Sequence, residues 1–95
     1  MDQALNERIS HEIRRLTTER GVKKSICPSE VARALADGEG DESWRNWMEA
    51  VRKTAAILVD HGEIVVTQKG KPIDPESAKG PIRLAVAPGK EVERT

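Results

Sequence analysis

The stretch "SWRNWMEAVRKTAAILVDHGEIVVTQK", Ser43 to Lys69, constrains the fold more than any other part of the chain because its period changes midway. At 100° per residue, Trp44, Trp47, Met48, Val51, Ala55, Leu58 and Val59 fall on one broad face. Arg45, Asn46, Glu49, Arg52, Lys53, Ala56 and Asp60 fall on the other, which is the pattern of an amphipathic helix. Ser43 suits its N-cap, Gly62 suits the left-handed geometry of a helix end, and His61 lies at the negative end of the dipole. From Glu63 the pattern alternates, with Ile64 and Val66 on one side and Val65 and Thr67 on the other, in β-branched residues that favour a strand. A helix and a strand joined so closely must each find a second apolar surface elsewhere in the chain.

Two further helices can supply it. "DQALNERISHEIRRLTTERG" places Leu5, Ile9, Ile13 and Leu16 at helical spacing, turns Glu7, Arg8, Arg14 and Arg15 outward, and stops at Gly21. "KKSI" is long enough only for a connector or a brief strand ending at Ile26. "CPSEVARALADG" reads as a short helix with Ser29 as cap, Pro28 blocking any helix from upstream, and Val31, Ala34 and Leu35 inward. "DGEGDE" is a loop, and "PIRLAVA" is a second strand with Ile82, Leu84 and Val86 inward. The order is helix, short strand, helix, helix, strand, long loop, strand. That order predicts an α+β, mainly α fold of the winged helix-turn-helix kind, three helices with a small antiparallel sheet. Residues 70–80, stiffened by Pro72 and Pro75, would form the wing. With 95 residues the chain makes one domain, taken as residues 1–86, with a mobile tail over 87–95.

The segments "KSICPSEVARAL" and "VTQKGKPIDPESAKGPIRL", with the Trp-rich start of the third helix between them, resemble the small bacterial family called domain of unknown function 3253. The resemblance runs from Leu5 to Val86. It implies a winged-helix fold, and it implies no activity and no catalytic residues. Members of that family can stand beside a small cysteine-rich module, which is not expected in a chain with one cysteine.

Composition narrows the chemistry. The start "MDQALNERIS" lacks a basic segment followed by an apolar one, so no signal peptide is expected, and the longest apolar run, "AAILV", is far too short to span a bilayer. Cys27 has no partner for an internal disulfide, which makes the cytoplasm the expected compartment. His11 and His61 have no nearby sequence partner for nucleophilic catalysis, and with one cysteine they lack metal-ligand spacing. Cys27 beside Lys23, Lys24 and a helix start could be an activated thiol, but a small packed side chain next to a proline is the favoured reading. No glycine loop is suited to cradle phosphate. The expectation is a binding module with no cofactor, no metal and no catalytic role.

The candidate ligand is double-stranded DNA. Arg45, Asn46, Glu49, Arg52 and Lys53 would meet the major groove, where Arg suits guanine edges and Asn adenine edges, while Lys69, Lys71, Lys79 and Arg83 would follow the phosphates. Asp74 and Glu76 at the wing tip weaken that patch. Trp44 and Trp47, the only aromatics, share their face with Val51 and Leu58, which favours core packing over a base-stacking platform. The alternative is a winged helix that contacts a protein partner or a second copy of itself. Sixteen basic residues balance sixteen acidic ones, so no global field draws the chain to nucleic acid. The pairs Arg45–Glu49 and Glu49–Lys53 would by themselves stabilise a solvated helix face by about 0.3 kcal/mol each. Basic residues beside strands also discourage edge-to-edge aggregation. Ala50 and Ile57, at the border of that face, could mark the partner surface.

Overall fold

Periodicity places the three helices and the two longer strands. The computed structural model describes residues 3–21, 24–36 and 43–88. In chain order they form α1 (Gln3–Arg20), α2 (Pro28–Leu35), a 3₁₀ turn (Ser43–Trp47), α3 (Met48–Asp60), β1 (Ile64–Gln68), β2 (Lys71–Pro72) and β3 (Arg83–Val86). The result is a mainly helical α+β fold, three helices with one small antiparallel sheet. "DGEGDE" falls on residues 37–42, outside the described residues, as does the tail from residue 89.

Each helix turns its apolar stripe to one core. Ile9 and Ile13 of α1, Val31 and Leu35 of α2, and Val51, Ala55 and Leu58 of α3 are buried, and Ile64, Val66, Ile82 and Leu84 meet them from the sheet side. Thr17 is buried on the same stripe of α1, and its hydroxyl donates to the Ile13 carbonyl at 2.7 Å, so no polar atom is stranded there. Gly21 and Gly62 have φ of +99° and +75°, the left-handed geometry that ends α1 and the turn after α3 without a Cβ clash. The sheet runs β2-β1-β3, with Ile64 opposite Val86 and Val66 opposite Leu84. The brief strand expected before α2 is an isolated bridge: Ile26 and Leu84 exchange both backbone hydrogen bonds at 2.8 Å.

Three local expectations are corrected. Cys27, not Ser29, is the N-cap of α2, with Pro28 at the first helical position, where a missing N–H costs nothing. The cap's backbone N–H is satisfied by the Glu30 carboxylate at 3.0 Å, and the Ser29 hydroxyl donates to the Cys27 sulfur at 3.1 Å. On α2 it is Ala32 rather than Ala34 that is fully buried beside Val31 and Leu35. Finally, Ser43–Trp47 is wound as a 3₁₀ turn, so the α-helix begins at Met48, with Trp47 as its N-cap residue.

The connection expected as one long loop has two parts. Lys69 and Gly70, at φ +53° and +83°, make the two-residue reversal of a tight hairpin, whose backbone twist matches the right-handed twist of the flanking strands. Gln68 therefore faces Lys71 and Thr67 faces Pro72. Only afterwards does the chain leave the sheet. Ile73 N–H still donates to the Val66 carbonyl, and Pro75 is fully buried. In "DPES" the Asp74 carboxylate accepts from Glu76 N–H at 3.0 Å and from the Ser77 hydroxyl at 2.9 Å, closing a turn that sends the chain towards β3.

Candidate nucleic-acid interface

The residues proposed from sequence to read DNA come from the 3₁₀ turn and α3. Arg45 and Asn46 lie exposed on the turn, and the Arg45 guanidinium stacks 4.7 Å from the centre of the Trp44 ring. Lys53 is exposed on α3, with its Nζ 3.7 Å from the Glu49 carboxylate. A solvent-exposed pair at that distance adds a few tenths of a kcal/mol and leaves Lys53 able to change partners.

Arg52 behaves differently. Its Nη1 donates to the carbonyls of Ala78 at 3.1 Å and Pro75 at 3.4 Å, and its Nη2 donates to the Gly80 carbonyl at 2.9 Å. One planar fork on α3 thus holds three points of the return segment. Its donors face that segment, so Arg52 is placed to position the loop against α3. The opposite side of the segment is tied to β1, where the Gln68 side-chain amide donates to the carbonyls of Lys79 and Pro81. Between these two clamps the loop forms one body with the helix and the sheet.

Lys69, Lys71, Lys79 and Arg83 are all exposed on that body. Lys69 sits at the hairpin tip, Lys71 on β2 and Lys79 on the return segment. Arg83 is partly committed: its Nε donates to the Ser25 hydroxyl at 2.8 Å and its Nη2 to the Ser25 carbonyl at 2.9 Å. These bonds fasten β3 to the bridge strand. Among the four, the three lysines are the side chains without such a structural duty in the described geometry. The Asp74 carboxylate, expected to weaken the patch, is exposed and accepts two hydrogen bonds within its own turn.

Two basic residues make ring contacts that the sequence did not indicate: Arg8, expected only to face outward, and Arg33. Arg33 of α2 lies 4.4 Å from the centre of the Trp44 ring, opposite in origin to Arg45, and Arg8 of α1 lies 5.3 Å from that of Trp47. Arg8 also donates to the Leu35 carbonyl at 3.2 Å, at the negative end of α2. Both indoles are half-buried against the core, as their helical spacing suggested, and they carry guanidinium groups rather than open faces. No spacing motif could have flagged Arg8 and Arg33, since each meets its ring only once its helix has packed against the 3₁₀ turn.

Two ion pairs fasten elements of the fold to one another. Partial burial works against the Glu30 carboxylate, but the Cys27 N–H and the Arg20 guanidinium, 2.7 Å away, together hold it below the usual carboxylate range. Arg14 and Glu63 form a two-point pair, at 2.6 and 3.1 Å, that ties α1 to the turn before β1. Cys27 caps α2, His11 is exposed on α1, and His61 is the exposed C-cap of α3. Among the described residues, no helix is long and apolar enough to cross a membrane.

The match to known families covers most of this fold. Residues 6–87 fit the model of the family described as "Protein of unknown function (DUF3253)", and the chain belongs to that family. No curated protein matches it.

Proposed function

We propose that this family member is a winged helix-turn-helix module that binds double-stranded DNA in the cytoplasm and carries no catalytic activity or cofactor. The element order supports the fold reading: a short helix, a turn region and a longer helix are followed at once by a hairpin and its return segment. In this reading Arg45, Asn46 and Lys53 lie towards the major groove, and Lys69, Lys71 and Lys79 follow the phosphates. Arg52 holds the wing in place, and Arg83 holds the sheet edge while offering its remaining donors to the backbone. The observation that carries the proposal is the double clamp of the wing by Arg52 and Gln68. A basic loop fixed to the helix presents its charges without the ordering cost that a free loop incurs on binding.

The test is an amide NMR titration of the full chain with a random-sequence duplex at low and then moderate salt. Salt-sensitive shifts should cluster at residues 45–53 and 69–83. The triple variant Lys69→Ala/Lys71→Ala/Lys79→Ala should keep its fold, and it should reduce the slope of log affinity against log salt by about 3, from roughly 0.9 per phosphate contact. Unchanged affinity in that variant would remove the phosphate role. The exposed Ile57, at 44%, favours a second reading, a protein-contact or dimerising winged helix with no nucleic-acid binding. A concentration-dependent mass with no duplex shifts at low salt would select it.

A further inference from the structure

A groove of about 530 Å³ opens between the C-terminal half of α3 and the place where the chain leaves β2. Its size lies within the range of roughly 300–1,000 Å³ typical of small-molecule sites. The floor is aliphatic, built from Val59 of α3, Val65 of β1, and Ile73 and Pro75 of the return segment. Val65 is 37% exposed there, although its strand neighbours Ile64 and Val66 are buried.

The charge in this groove has one sign. Asp60, Asp74 and Glu76 line it together with the apolar floor, and no basic side chain does so among the described residues. Asp60 is the last residue of α3, where the helix dipole already disfavours a negative charge. Asp74 is held in a fixed orientation by its bonds from Glu76 N–H and the Ser77 hydroxyl. An apolar floor rimmed by like-charged carboxylates selects an occupant with methylenes to cover the floor and a positive charge to meet the rim. These carboxylates disfavour a phosphate or any other anion inside the groove, while Glu76 also lines the adjoining cleft with Arg52 and Lys53.

We propose that the groove binds a small organic cation with an aliphatic body, an alkylamine or alkylguanidine. Its chain lies on Val59, Val65 and Ile73, and each cationic group it carries meets a carboxylate of the rim, Asp60, Asp74 or Glu76. The inference stands whether or not the chain binds DNA.

The experiment is an amide NMR titration of the full chain with hexane-1,6-diamine, and in parallel with hexane-1,6-diol, which has the same skeleton and no charge. The diamine should give saturable shifts at Ala56, Val59, Val65 and Ile73, with at least tenfold higher affinity than the diol. Asp60→Asn/Glu76→Gln should weaken the diamine at least fivefold and leave the diol unchanged. Val65→Lys, which puts a competing ammonium into the groove, should abolish diamine binding. Equal affinity for diamine and diol would overturn the proposal, as would non-saturating shifts spread over distant carboxylates such as Glu7 and Glu19. Binding of a basic peptide, Ac-Leu-Lys-Leu-Arg-NH₂, without binding of the diamine would overturn it in favour of a protein partner.

Discussion

Replacing Arg52 by Met separates two accounts of the same side chain. Methionine keeps most of the aliphatic stem and removes the guanidinium. If Arg52 only decorated a solvated helix face, the change would fall within about 0.5 kcal/mol. The structure instead assigns it two well-formed bonds, 3.1 Å to Ala78 and 2.9 Å to Gly80, and a third at 3.4 Å to Pro75. The third is near the geometric limit and adds little. Bonds from a charged donor contribute about 1.5 kcal/mol or more when buried, and discounting for the partial exposure of this site gives about 1 kcal/mol each. The expected loss is therefore about 2 kcal/mol, which for a domain of this size lowers Tm by about 10 °C. Thermal and urea unfolding followed by circular dichroism measure it directly. Amide exchange should also quicken at Ile73, Ser77 and Ala78, whose N–H groups are bonded within or beside the loop. Arg52→Lys retains the charge but cannot span three carbonyls, and it should recover less than half of the loss. A Tm for Arg52→Met within about 2 °C of the parent, with unchanged exchange in the loop, would refute the clamp.

Two other predictions concern single groups. Thr54 is 1% exposed, and its hydroxyl has no hydrogen-bond partner among the described residues, so Thr54→Val should stabilise the fold by about 1 kcal/mol; a lower Tm would show that the hydroxyl is satisfied. Glu30 is held below its ordinary range, so its contribution is complete above the unfolded-state value of about 4.3 and is lost as pH falls through the lower folded value. The stability gap between the parent and Glu30→Gln should accordingly be widest near neutrality and narrow on acidification below about pH 4. A gap that is constant from pH 7 to about 2.5 would count against the Arg20–Glu30 pair.

Much of the candidate site was legible as residue type and little of it as geometry. Lys69, Lys71 and Lys79 stand exposed on the hairpin and the return segment. Arg45, Asn46 and Lys53 are likewise on the outer side of the helical segment. The helical projection that placed Arg52 beside them was sound, since a half-buried side chain at the border of a face can turn either way. What decides its direction is the segment 75–80, which lies 23 to 28 residues later in sequence. The tight reversal at Lys69 was also hidden, because a lysine at φ +53° carries no turn signature of its own and only Gly70 beside it hints at the geometry.

The amino-acid sequence by itself determined the three helices, the two main strands and most of the faces they bury, Ala32 in place of Ala34 on α2 being an exception. Those follow from periods of 3.6 and 2 that neighbouring residues enforce on one another, and from glycines at 21 and 62 that accept positive φ. Only the tertiary structure decided which donors meet which acceptors: Arg52 on three loop carbonyls, Arg83 on Ser25, Gln68 on Lys79 and Pro81, and Arg8 and Arg33 on the indoles. The physical reason is that most of these acceptors are backbone carbonyls. Every residue carries one, so no sequence pattern distinguishes the carbonyl that is used, and packing alone brings it within 3 Å or so of a guanidinium or amide.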